Sequence, residues 1–289
     1  MAFPTRVYLN GKFIPSESAR ISVFDRGFVF GDGVYEVIPV YGGRPFRLSH
    51  HLQRLDASLA AVRISNPMTA REWEDIFREL AGEHGSVDQS IYLELTRGVA
   101  PRDHAFPAGI AATVFAYAQP LSYPDPEHIE AGVRAITVPD IRWSRCDIKA
   151  IALLANVLMR QKAIENGCAE AILIRDDRVT EGAASNIFIV SGGVLSTPGK
   201  GPYILPGITR DLIIELAHRN NIPCVEKEIH KPQLFSADEV WLTSSTKEIL
   251  PIVRIDDRDI ASGRPGPMHS RLHALYQDYK HAFRNGEVE

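Results

Sequence analysis

Six short stretches of the chain carry residue types that can do chemistry. The most telling is Lys149, which lies in Cys146-Asp-Ile-Lys-Ala-Ile-Ala-Leu-Leu154 with apolar neighbours on both sides. Burial disfavours an ammonium, and a neutral amine is the species that attacks a carbonyl to form a Schiff base. The same stretch also reads as a lysine snorkelling from the start of a helix. Glu181 sits in Val179-Thr-Glu-Gly-Ala-Ala-Ser-Asn186, where small residues after a carboxylate let a planar ring approach. A carboxylate bonded to a protonated pyridine nitrogen keeps that ring an electron sink; an acidic hairpin residue is the plainer alternative.

Two further stretches suit an anion. Leu205-Pro-Gly-Ile-Thr209 runs into a helical pattern, and unpaired amides at the positive end of a helix dipole bind phosphate. Thr209 adds a hydroxyl; simple helix capping reads the same way. Thr243-Ser-Ser-Thr246 follows a strand, so Ser244 and Ser245 offer hydroxyls and amides to the same anion or form an ordinary polar turn. Arg54 has the planar donor fork that suits phosphate. Leu52, Leu55 and Leu59 form the apolar stripe of its helix, however, and periodicity turns Arg54 towards solvent, although the small Ala57 and Ala61 share its face. Finally, Arg97-Gly-Val-Ala-Pro-Arg-Asp-His104 is a loop whose Arg102 and His104 can capture a carboxylate or simply be solvated.

The elements that must position these residues are partly legible. Val7–Leu9 and Phe13-Ile14 flank Asn10-Gly11, a hairpin signal because a type I′ turn needs positive φ at both central residues. Strands are expected over Val34–Tyr41, Ser90–Thr96, Ala111–Ala118, Val133–Val138, Ala171–Arg175, Ile187–Val190 and Val240–Thr243. Helices are expected from Ser49 to about Val62, from about Thr69 to His84 with Trp73, Ile76, Phe77 and Leu80 at helical spacing, and over Thr209–Asn220. A buried helix is expected over Ala150–Asn166, ending at Gly167. Three prolines in Gln119–Glu127 mark the best domain boundary. The expected organisation is residues 1–119, a linker at 120–127 and a second domain over 128–289.

Composition excludes several classes. The chain has 289 residues, a net charge of −4 with both signs scattered, and 45% hydrophobic residues, so it lacks the basic surplus of a nucleic-acid binder. Cys146, Cys168 and Cys224 are odd in number and far apart, which fits no disulfide framework or zinc site and suits the cytoplasm. The longest apolar run, Ala150–Met159, is interrupted by Asn156 and too short to span a bilayer. Gly27, Gly31 and Gly33 are spaced GxxxGxG, not as the dinucleotide fingerprint GxGxxG, and no P-loop, zinc-protease or nucleophile-elbow motif occurs.

The order of the motifs resembles that of fold-type-IV pyridoxal-phosphate (PLP) enzymes, a group of D-amino-acid and branched-chain aminotransferases, (R)-selective amine transaminases and aminodeoxychorismate lyases. The likeness covers nearly the whole chain. It is carried by Asp25–Val37, Thr96–His104, Asp140–Lys149, Thr180-Glu-Gly182, Gly207-Ile-Thr-Arg210 and Thr243–Thr246. The Pro101-Arg-Asp-His104 loop and Ile141-Arg-Trp-Ser-Arg-Cys-Asp-Ile-Lys149 resemble the D-amino-acid branch.

The resemblance implies an α+β (α/β) fold of two domains, a smaller N-terminal α/β domain and a larger, barrel-like mixed C-terminal domain that binds PLP. It implies that Lys149 is the Schiff-base and proton-shuttling residue, and that Glu181 pairs with the ring nitrogen. Arg54, Ile208, Thr209, Ser244 and Ser245 would hold the phosphate, and Leu205 would lie against the ring. Tyr35, Arg102 and His104 would trap the substrate carboxylate, the Arg–His loop reaching in from a partner subunit, so that a homodimer shares its sites. The implied substrates are amino acids of the D-alanine or D-glutamate type and a 2-oxo acid such as 2-oxoglutarate or pyruvate. A branched-chain L-amino acid, an (R)-amine or aminodeoxychorismate remains open. One departure stands out: relatives of this branch often carry a serine run after Glu-Gly, where this chain has Ala183-Ala184.

Overall fold

Asn10 and Gly11, with φ of 48° and 89°, turn the chain between β1 (Arg6–Leu9) and β2 (Lys12–Pro15), the expected hairpin. The structure, a computed structural model, describes residues 3–82, 85 and 87–288. It divides into two units that are not consecutive in sequence: Met1–Leu121 with Ile148–Ala152 and Phe283–Glu289, and Ser122–Asp147 with Leu153–Ala282.

The first unit continues through α1 (Arg26–Phe30), β3 (Gly33–Tyr41), β4 (Arg44–Pro45), α2 (Leu48–Ala61), α3 (Ala70–Gly82), β5 (Gln89–Thr96) and β6 (Thr113–Pro120). Its strands form an antiparallel sheet in the order β2-β1-β6-β5-β3-β4. Trp73, Ile76, Phe77 and Leu80 bury one face of α3, as their spacing predicts, and pack with Leu55, Leu59, Ile38 and Ile91 in one core. The expected end of that helix at His84 lies outside the described residues.

Ile148–Ala152 joins this unit as an extended segment along β3. The Tyr35 amide donates to the Lys149 carbonyl at 2.9 Å, and the Ile151 amide to the Gly33 carbonyl at 3.1 Å. These bonds occupy backbone groups that a helix would need, so the helix expected from Ala150 begins instead at Leu154. It is not the buried helix that its apolar run suggests: Leu154 and Leu158 are 72% and 55% exposed, and only Met159 and Ala163 are buried.

The second unit comprises α4 (Pro126–Glu130), β7 (Val133–Pro139), α5 (Leu154–Glu165), β8 (Glu170–Arg175), β9 (Arg178–Gly182), β10 (Asn186–Ser191), β11 (Val194–Thr197), α6 (Ile208–Arg219), β12 (Cys224–Glu226), α7 (Lys231–Ser236), β13 (Glu239–Ser244), β14 (Glu248–Ile255), β15 (Arg258–Asp259) and α8 (Pro267–Arg284). Its mixed sheet runs β12-β11-β10-β13-β14-β7-β8-β9, with β15 on β14. The β12–β11, β14–β7 and β7–β8 pairs are parallel. β9, last in that order, passes through three residues into β10 in its middle, and the Gly182 amide bonds the Ser185 carbonyl at 2.7 Å. The sheet therefore curls back on itself, and the expected two-part α+β class with a barrel-like second part holds. Among the described residues no helix is long and apolar enough to cross a membrane.

Candidate active site

In the first unit, backbone pairing presents Lys149 beside β3. Its amide donates to Ser58 Oγ of α2 at 3.2 Å, and its half-buried side chain puts Nζ 4.1 Å from the centroid of the Tyr35 ring, a cation–π distance. One residue along β3, fully buried Glu36 takes a two-pronged bond from Arg54, both at 2.8 Å, and a third contact from His51 Nδ1 at 2.8 Å. Burial opposes the charge on Glu36, but Arg54 and His51 hold its carboxyl well below the usual range. Burial likewise lowers His51, with Glu36 opposing, and the Lys149 charge adds to the lowering. Arg54 is thus buried, against the periodicity of its helix, because a carboxylate on the neighbouring strand receives it.

Arg102 and His104 lie on an exposed loop in the same unit. Both rest on Phe30 of α1: the Arg102 guanidinium is 5.2 Å and the His104 ring 5.3 Å from its ring centroid.

In the second unit, Glu181 is on strand β9 rather than in a loop between strands, and it is buried. Arg142 Nη1 donates to Oε1 in an ion pair, while Asn186 Nδ2 and the Leu205 amide each donate to Oε2 at 3.1 Å. Burial nonetheless pushes the Glu181 carboxyl up to about 7. Arg142 also bonds Asp140 and the Tyr203 carbonyl. Burial would raise Asp140, but Arg142 outweighs it and holds that carboxyl at about 2.

The Leu205–Thr209 and Thr243–Thr246 turns, two of the candidate anion-binding elements, converge on Asn186. It donates to the Leu205 carbonyl at 3.0 Å and pairs across the sheet with Thr243, next to Ser244 and Ser245. A Cβ at Gly207 would overlap its Oδ1, so only glycine fits at the N-cap of α6. That cap makes no side-chain bond, and the first intrahelical bond is from the Asp211 amide to the Gly207 carbonyl. The amides of Ile208 and Thr209 therefore precede the helix's own bonding pattern. Thr243 Oγ1 is buried without a hydrogen-bond partner.

These residues fit PLP: a buried carboxylate with raised proton affinity suits a pyridinium N–H, and an uncapped helix start near a buried orphan hydroxyl suits a phosphate. Sequence reasoning gave no role to Arg142, Asn186, Glu36 or His51. The Ile141–Lys149 and Ser185-Asn186 segments drew notice as motifs, but partners 5 to 39 positions away in sequence give these side chains their roles. Ala183 packs in an apolar cluster with Met159, Ala171 and Leu173, whereas Ala184 is exposed.

Residues 33–255 match the amino-transferase class IV family, and the chain belongs to that family; it is a PLP-dependent aminotransferase. Among individual proteins, the chain is 41% identical to the D-alanine aminotransferase of Bacillus licheniformis, over 94% of this chain and 96% of that one. It is 40% identical to that of Staphylococcus epidermidis, over 95% and 98%. Its fold is similar to that of the branched-chain amino acid aminotransferase of Escherichia coli, with a TM-score of 0.90 at 28% identity over 99% and 97% of the two chains. The branched-chain amino acid aminotransferase of Thermoproteus uzoniensis, solved with norvaline, gives 0.87 at 29% identity over 99% and 97%.

Proposed function

We propose that this enzyme moves the amino group of a D-amino acid, of the D-alanine or D-glutamate type, to a 2-oxo acid such as 2-oxoglutarate or pyruvate in two half-reactions. The observation that carries the substrate class is the likeness to D-alanine aminotransferases along nearly the whole chain. PLP, when bound, supplies the electron-withdrawing ring that takes up the electron pair left as the substrate Cα–H bond breaks. Lys149 would hold the cofactor covalently, and its Nζ, when free, would take the substrate Cα proton as general base. Glu181 holds a proton at the ring nitrogen, a role its burial and raised proton affinity support. The Ile208 and Thr209 amides, the Ser244-Ser245 turn and Arg54 would hold its phosphate, and Leu205 would lie against its ring. Tyr35, Arg102 and His104 receive the substrate carboxylate.

The enzyme acts in the cytoplasm as a homodimer. Exposed Phe24, Phe28, Leu154 and Leu158 are the kind of apolar surface that a partner covers.

D- and L-alanine, D-glutamate, branched-chain L-amino acids and an (R)-amine, each assayed with 2-oxoglutarate and with pyruvate, test the substrate class. Pyruvate release from D-alanine only when 2-oxoglutarate is present supports it. Activity confined to L-branched-chain substrates, or acceptor-independent pyruvate release from aminodeoxychorismate, overturns it.

A further inference from the structure

The loop that carries Arg102 and His104 has no regular secondary structure, and both side chains are exposed. Such side chains ordinarily sample many rotamers, and holding them in one geometry costs entropy. Here the loop is gripped between them. Arg26 Nη1 donates to the carbonyl of Asp103, the residue separating the two, at 2.5 Å. Arg26 is itself 4% exposed and is oriented by Asp32, which accepts from its Nε at 2.8 Å. Asp32 also takes two bonds from Arg97, at 2.8 and 3.0 Å, at the start of the loop. Burial opposes the charge on Asp32, yet the two guanidiniums hold its carboxyl below the usual range.

Phe30 completes the grip. Its ring carries Arg26 at 4.8 Å, Arg102 at 5.2 Å and His104 at 5.3 Å. A guanidinium on an aromatic face loses less freedom than one extended into water, and it keeps its donor fork available at its edge.

We infer that Arg26 and Phe30 are positioning residues for substrate recognition: they hold Arg102 and His104 in the geometry that receives a substrate carboxylate. The inference rests on the proposed role of Arg102 and His104. Arg26 fixes the backbone between the two side chains, and Phe30 fixes their planes. Neither need touch substrate, so their loss weakens carboxylate capture without altering how the cofactor is held.

The test is a kinetic cycle on the PLP-loaded enzyme. R26Q removes the grip on the Asp103 carbonyl, and F30L removes the ring while keeping an apolar side chain; F30L carries the test if R26Q does not fold. Each is made in the wild type and in an R102A/H104A background. In the wild type, each raises KM for both D-alanine and 2-oxoglutarate roughly tenfold or more, with a smaller change in kcat and unchanged cofactor absorbance. In the R102A/H104A background, the same substitutions leave KM unchanged. Equal losses in both backgrounds, or losses that track cofactor content, overturn the inference. If R102A/H104A itself leaves both KM values at wild-type levels, the carboxylate role falls and this inference with it. If R102A/H104A raises them while R26Q and F30L do not, only this inference falls.

Discussion

Asn186 Nδ2 stands 3.1 Å from Glu181 Oε2, while the other atom of the same amide, Oδ1, occupies the place where a side chain at Gly207 would begin. One planar group thus ties the buried carboxylate to the start of α6. G207A forces Asn186 aside and strips Glu181 of a donor. PLP affinity of the apo-enzyme, titrated by absorbance, should fall at least about tenfold, the scale of one charge-assisted hydrogen bond. G207A/N186A should bind PLP no worse than N186A alone, because with Asn186 truncated the collision is gone and the donor is already lost. A double variant with additive defects contradicts this coupling.

Glu181 makes the cofactor-free protein sensitive to pH. Its carboxyl is raised from 4.5 to about 7, so the folded state binds the proton more tightly than the unfolded state. The contribution is fully present below about pH 4.5 and is lost as pH rises through about 7, an effect of about 3 kcal/mol. Thermal melts of apo-enzyme from pH 5 to 8 should show a decline that E181Q flattens. PLP should suppress the same decline, because a pyridinium N–H favours the ionised carboxylate.

Arg142 serves two buried carboxylates, Asp140 and Glu181. R142Q leaves both without their cation, and removing one partner of a buried ion pair costs about 3–5 kcal/mol. Urea unfolding at pH 8 should show this loss. Lowering the pH towards 6 should recover part of it, as Glu181 protonates.

Lys149 should be dispensable for folding. K149A is expected to keep a melting temperature within a few degrees of the wild-type apo-enzyme, because its place on β3 is set by backbone bonds. It should lose transaminase activity and borohydride-trappable PLP. Peptide mapping of the reduced wild type checks the assignment, and an adduct on another lysine would show that Lys149 is not the attachment site.

The elements set by local chemistry were readable from residues alone. The Asn10-Gly11 turn and the Trp73–Leu80 stripe needed only φ preference and helical period. The chain from Ala150 to Asn166 misled because its apolar content says nothing about which backbone groups are already engaged. Pairing of Lys149 and Ile151 with β3 moves the helix start to Leu154 and leaves Leu154 and Leu158 in solvent. Arg54 misled in the opposite direction, since its burial depends on Glu36, 18 positions away. The roles of Arg142 and Asn186 depend on partners that sequence spacing does not reveal. Lys149 and Glu181 were legible as candidates, and it was their order with the candidate anion-binding turns that singled them out.

The way Lys149 is mounted separates its side chain from the scaffold. Its carbonyl takes the Tyr35 amide and its own amide reaches Ser58, so truncating the side chain leaves the strand edge in place and opens a small hollow above the Tyr35 ring. A site built this way invites chemical rescue. Small primary amines added to K149A should slip into the hollow and carry the proton in place of Nζ, with rescue that falls as the amine outgrows the missing propylamine chain.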